Sequence, residues 1–225
     1  MVPGKRPTWD EVRAVQRMLE GTFKARVVAK KDDLLMQVLA WGIARANEKL
    51  PPGILPMTSE DFLTKWAMTI GATVYMPVVQ DPFEYLLLLL HEVGHVLQHA
   101  GASGDASSST DPYRMATGLA FMQLYVTGDL RDPRTLREFC AHVEADAEAV
   151  RCEGFHLFTG SVMPVADALA PLHGPAYLLR DEDVDLAHGI LNSRSTSIRY
   201  GTYLSPVTRA VKALCAVSFP HLLAA

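Results

Sequence analysis

Residues 81–100, DPFEYLLLLLHEVGHVLQHA, restrict the fold more than any other stretch of the chain. Asp81 suits a helix N-cap and Pro82 the first turn, where a missing N–H costs nothing; Glu84 completes an Asp-x-x-Glu box. The pattern predicts a helix over 82–100. Leu86 to Leu90 are consecutive leucines, the densest apolar run in the chain. Yet His91, Glu92 and His95 follow at once, reading His-Glu-x-x-His. Positions i and i+4 share one helical face, so both imidazoles can point a ring nitrogen at one metal ion, for which Zn²⁺ is the natural choice. Glu92, one residue on, stands beside such an ion without being needed as a ligand. There it can take a proton from an activated water and pass it to a leaving amine. His99 continues the series, but four residues rise about 6 Å, and a straight helix cannot aim three rings at one ion. The third ligand must come from elsewhere in the chain.

Composition limits the alternatives. The 225 residues fit a single domain, 49% hydrophobic and 20% charged, which excludes a disordered chain. Twenty-one Lys and Arg against 25 Asp and Glu give a net charge of −4, so nucleic-acid binding driven by bulk charge is not expected. No window holds the 18 or so unbroken apolar residues of a membrane span, and MVPGKRPTWDE offers no signal-peptide core. Cys140, Cys152 and Cys215 form no CxxC pair. A cytoplasmic protein, with no membrane or nucleic-acid partner, is the expectation.

The rest of the chain reads as mostly helical. Thr8-Trp9-Asp10-Glu11 is a capping box opening a helix to about Gly21, followed by a short strand at 25–29 and a helix over 32–50. Thr58 caps a helix running to about Met68, and Gly71 to Val79, rich in β-branched and aromatic residues, reads as a strand. Asp111-Pro112 and Asp132-Pro133 open helices over 112–126 and 133–153, with the small polar loop Gly101 to Thr110 before the first. Further helices are expected near 164–172, 181–192 and 206–217. The stripe Met115, Leu119, Met122 and Tyr125 reads as core packing.

With its strand, apolar helix and His-Glu-x-x-His, the sequence resembles the zincin metallopeptidases over about residues 71–153. The resemblance implies an α+β, mainly helical fold with a small sheet, whose edge strand runs beside the substrate; Gly71 to Val79 is the candidate. The longer metzincin motif is absent, since Gln98 and Gly101 stand where it would continue. The helix over 133–153 resembles the second metal helix of the gluzincins, in which a Glu ligand opens E-x-x-A-D or E-x-x-A-N. The small Ala lets that helix approach the first, and the acid supports a metal-binding His. Ala145-Asp146 matches the last step, but His142 stands at the ligand position; Glu138 and Glu144 open looser matches ending in Ala141-His142 and Ala147-Glu148.

A helical wheel places Leu136, Phe139, Val143, Ala147 and Val150 on an apolar stripe. Arg137, Glu144, Glu148 and Arg151 fall to one side with the alternating charge of an exposed face. Glu138, His142, Ala145, Asp146 and Ala149 fall to the other. This favours His142 as third ligand with Asp146 or Glu138 supporting it; Glu138 and Glu144 stay open as ligands, since zinc takes His₃ or His₂Glu equally. For the oxyanion, His156, Tyr177, His188, Tyr200 and Tyr203 are candidates without a spacing rule to choose among them. Asn192 to Tyr203, carrying Arg194 and Arg199, reads as a polar loop that could also hold an anion. The expected function is zinc-dependent hydrolysis of a peptide bond, on a specific protein or peptide target, with Glu92 as general base and then acid. The alternatives are an inactive zincin-like scaffold that binds partners, and a peptidase latent until a partner arrives.

Overall fold

The computed structural model describes residues 4–49, 57–102, 133–173, 181–199 and 204–224. The helix expected at 112–126, its apolar stripe and the loop at 101–110 lie outside those residues except for Gly101 and Ala102. Within them the protein is mainly helical with one small sheet, an α+β arrangement. Helix α1 is Trp9–Phe23, and its capping box forms: Glu11 N–H donates to Thr8 Oγ1, and Thr8 N–H to Glu11 Oε2 at 2.7 Å. Val12, Val15 and Leu19 recur at helical spacing and are buried. Strand β1 (Arg26–Ala29) and a single 3₁₀ turn lead into α2 (Leu34–Lys49). Helix α3 (Ser59–Thr64), capped by Thr58, stops earlier than its sequence promises, because Met68–Ile70 forms a strand, β2, that the helical reading absorbed. A two-residue turn follows, with Gly71 at φ +61°, a conformation glycine reaches without strain. It leads into β3, Thr73–Met76.

The sheet order is β1-β3-β2, parallel between β1 and β3 and antiparallel between β2 and β3. The strand expected at the edge, within 71–79, is therefore central, and β2 is the edge on its far side. Helix α4 (Pro82–Ala102) starts where Asp81 accepts the Phe83 and Glu84 N–H groups at 2.8 and 2.9 Å. Its Leu86, Leu89, Leu90, Val93 and Leu97 form the centre of the core. One side of α4 meets the sheet; the other meets α5 (Pro133–Thr159). Past α5 come α6 (Val165–Leu169), a 3₁₀ turn, α7 (Asp181–Arg199) and α8 (Pro206–Ser218). Asn192 to Arg199 thus continue a helix, where a loop was expected. Arg137 on α5 pairs with Asp183 on α7 at 3.0 Å, and Glu153 accepts the buried Ser205 N–H that precedes α8. The three cysteines are free, and no described helix is long and apolar enough to cross a membrane.

Candidate metal centre

The α4–α5 contact is made close by small side chains. A Cβ built on Gly94 would meet the Ala147 Cα at 3.4 Å and the Val150 Cγ2 at 3.5 Å, and one on Gly154 would run into Leu90 Cδ1. Further along, the Gln98 amide donates to the Val143 carbonyl at 2.8 Å. Leu90 thus opposes Gly154, Gly94 opposes Ala147, and Gln98 opposes Val143, an antiparallel pair. The face that α5 turns to α4 is therefore the Val143, Ala147, Val150 row. This brings Glu144, one residue from that row, against the two histidines.

Their ligand-type atoms form a compact triangle. His91 Nε2 and His95 Nε2 are 3.1 Å apart, and Glu144 Oε2 lies 3.5 Å from the first and 3.6 Å from the second. Ligands about 2.0–2.1 Å from one zinc ion at tetrahedral angles stand about 3.3 Å from each other, so the triangle has the size of one face of such a site. Glu144 Oε2 is buried and has no hydrogen-bond partner, an arrangement that costs about 1–3 kcal/mol unless a cation answers it. One remote nitrogen is held as well. Gln98, its amide orientation set by the Val143 carbonyl, offers Oε1 to His95 Nδ1 at 2.7 Å, so Nδ1 carries the proton and Nε2 faces the triangle. Glu148, 1% exposed, places Oε1 3.2 Å from His91 Nδ1, close but angled off a hydrogen bond, and accepts from Arg151 at 3.1 Å.

The electrostatics are those of a cation site. Burial disfavours a charged His91, but Glu148, Glu144 and Glu92 together outweigh it and push its pKa up to about 10. Burial opposes charge on His95 too, and Glu144 overcomes it, again raising the pKa. The carboxyl of Glu144, despite burial, is held far below its ordinary range by His95 and His91. The positive charge these acids draw onto the rings is charge a divalent ion would supply instead, releasing protons as it bound. The residues present fit a His₂Glu zinc site.

Glu92, 4% exposed, accepts the Thr69 hydroxyl on Oε2 at 2.6 Å, while its Oε1 stands 4.0 Å from His91 Nε2. Edge strand β2 thereby holds the acid beside the triangle.

The cluster differs from the favoured sequence reading. His142 is exposed and outside the cluster; Glu144, kept as an alternative, is the residue brought to the histidines. Asp146 is buried and Glu138 half-buried on the same helix, but neither joins the cluster, and Glu148 stands beside His91 Nδ1. The charge pattern misled because α5 packs against both α4 and α7, so an alternating acidic row need not face water. The matching motif is Glu144-x-x-Ala147-Glu148, with Ala147 at the close approach. Gln98 and Thr69 were missed altogether; the i+3 spacing of Gln98 from His95 was the one available signal. Of the oxyanion candidates, His156 bonds the Ser161 carbonyl and His188 is exposed beside Asn192, both outside the cluster; Tyr177, Tyr200 and Tyr203 lie outside the described residues. No known family, curated protein or solved structure matches this chain.

Proposed function

We propose that the α4–α5 pair is the centre of a zinc-dependent peptidase of the zincin type. The observation that carries this reading is the triangle of two Nε2 atoms and one buried carboxylate oxygen that makes no hydrogen bond. His91, His95 and Glu144 would hold the ion. When bound, zinc supplies Lewis acidity, bringing a coordinated water's pKa to about 7 and polarising a substrate carbonyl. Glu92 does the proton work. The Thr69 hydroxyl occupies its Oε2, which leaves Oε1, on the His91 side, to take the proton of the attacking water and later deliver it to the departing amine. Gln98 keeps the His95 ring from turning, and Glu148 sets a carboxylate against the remote nitrogen of His91. Among the described residues only β3 pairs with β2, so a peptide in extended form can add to the outer side of β2, next to Thr69 and Glu92.

Glu92→Gln tests this directly. The zinc-loaded variant should bind the metal as the parent does and lose about 10²–10⁴-fold in cleavage of a diverse peptide library read by mass spectrometry. Undiminished cleavage by Glu92→Gln contradicts the assignment of the base. Bound zinc with no cleavage by either protein instead favours the scaffold reading.

A further inference from the structure

Lys30 is a buried cation that the proposed proton chemistry does not use. It opens the 3₁₀ turn after β1 and is 1% exposed. Its Nζ donates to the Trp66 carbonyl at 3.1 Å and stands 3.7 Å from the centre of the Phe62 ring. Burial lowers its pKa to about 8, and Glu92 opposes the fall, so the two charges feel each other. An ammonium this deep is costly to keep, and a methionine would fill the same space without that cost. Trp66 lies two residues before β2. Alternation along that strand puts Met68 in the cluster with Phe62 and Thr69 on the other side, where its hydroxyl donates to Glu92 Oε2 at 2.6 Å. Lys30 thus grips the start of the edge strand from behind, and the strand grips Glu92 from the front.

We propose that Lys30 is a positioning residue for the peptidase reaction: by tying the Trp66 carbonyl to the end of β1, it fixes β2 where Thr69 can orient Glu92. The inference rests on the proposed activity for its kinetics and on the fold alone for the tie itself. Buried as it is, Lys30 does not touch a substrate, and its effect passes through the strand. Strand β2 needs such a tie. It is three residues long, and among the described residues it pairs on one side only, with β3. A strand so short and open on its outer side frays readily. The opposite edge of the sheet is fastened from outside, where the Val27 N–H of β1 donates to Glu20 of α1 at 2.9 Å. The same device on β2 would block the side that a peptide joins. A long side chain reaching from β1 fastens the strand without occupying that side.

Lys30→Met in the full chain keeps the packing on Phe62 and removes the tie. Deuterium uptake over 66–70, read by mass spectrometry, should quicken about tenfold while uptake over α4 stays unchanged. The zinc-loaded variant should bind the metal within about twofold of the parent and lose about tenfold in kcat, with a smaller rise in KM. Lys30→Arg, which restores donor and charge, should recover most of both. Thr69→Val cuts the same link one step later, so adding Lys30→Met to it should deepen the kinetic loss very little. Lys30→Gln repeats the measurements should Lys30→Met fail to fold. Uptake over 66–70 equal to the parent's overturns the proposal, as do full and independent losses from the two substitutions. The two readings fail separately. Cleavage unaffected by Lys30→Met overturns this one alone, whereas a parent that cleaves nothing overturns the activity and leaves the exchange to decide the tie.

Discussion

Helix α4 encloses two imidazoles and a carboxylate among leucines, whereas α2, nearly as apolar along its first half, leaves five large side chains in water. The difference lies in how each is packed. The sheet covers one side of α4 and α5 the other, so His91, Glu92 and Gln98 end up 2, 4 and 5% exposed. Among the described residues, helix α2 rests on the sheet and α3 by one narrow side. Polar groups inside and apolar groups outside both run against the usual partition. The first departure is the one that the proposed metal would answer, since the buried groups there are of the kind that ligate a cation.

The sharpest way to break the first half of this comparison is to exchange the roles of two neighbours on α5. Glu144→Ala should lower zinc affinity by more than about 100-fold in competition titration with a chromogenic chelator, beyond the loss for supporting residues. His142→Ala should leave affinity unchanged; the reverse order would restore the sequence-based choice. Gln98→Leu keeps the volume near the original but frees the His95 ring, and should cost about 10–100-fold in the same titration.

These substitutions also mark where the sequence could be read. Capping residues announce themselves locally, so Thr8, Thr58 and Asp81 placed three helix starts within a residue or two. His91, Glu92 and His95 were legible for the same reason, since one helix fixes their relation. The third ligand depends on which side of α5 meets α4, and that is decided by close approach at Gly94 and Ala147 and by the cover that α7 gives. Charge periodicity reports on water exposure only for a helix packed on one side. Strand β2, three residues long, is set by its pairing with β3 more than by its own composition.

Glycine offers a test of packing in both helices at once. Gly94→Leu would drive a side chain into Ala147 and Val150 and should destabilise the fold by about 1–3 kcal/mol in urea unfolding. Gly42→Leu meets nothing in the protomer. It should stabilise by about 0.5–1 kcal/mol through helix propensity. Equal effects at the two sites would mean that α4 and α2 are not packed differently.

The smallest effect concerns neither face and provides a baseline. Burial works against a charged Glu11, but the Thr8 N–H and hydroxyl, with His221 at 2.7 Å, prevail and lower its pKa below the ordinary 4.5. A depressed folded pKa means the stabilisation is complete above about pH 4.5 and fades as pH falls through the lower folded value. Glu11→Gln, which can still cap, should therefore be less stable than the parent by up to about 1 kcal/mol at pH 6, a gap that closes toward pH 3. A gap independent of pH would remove the carboxylate from the account.

The central claim is that α4 and α5 assemble one cation site from His91, His95 and Glu144. Anomalous scattering recorded at the zinc edge on crystals grown with the metal tests it most directly. The account predicts one strong peak within bonding distance of both Nε2 atoms and Glu144 Oε2, absent from Glu144→Ala crystals. A peak on His142, or none between the two rings after zinc loading, would contradict it.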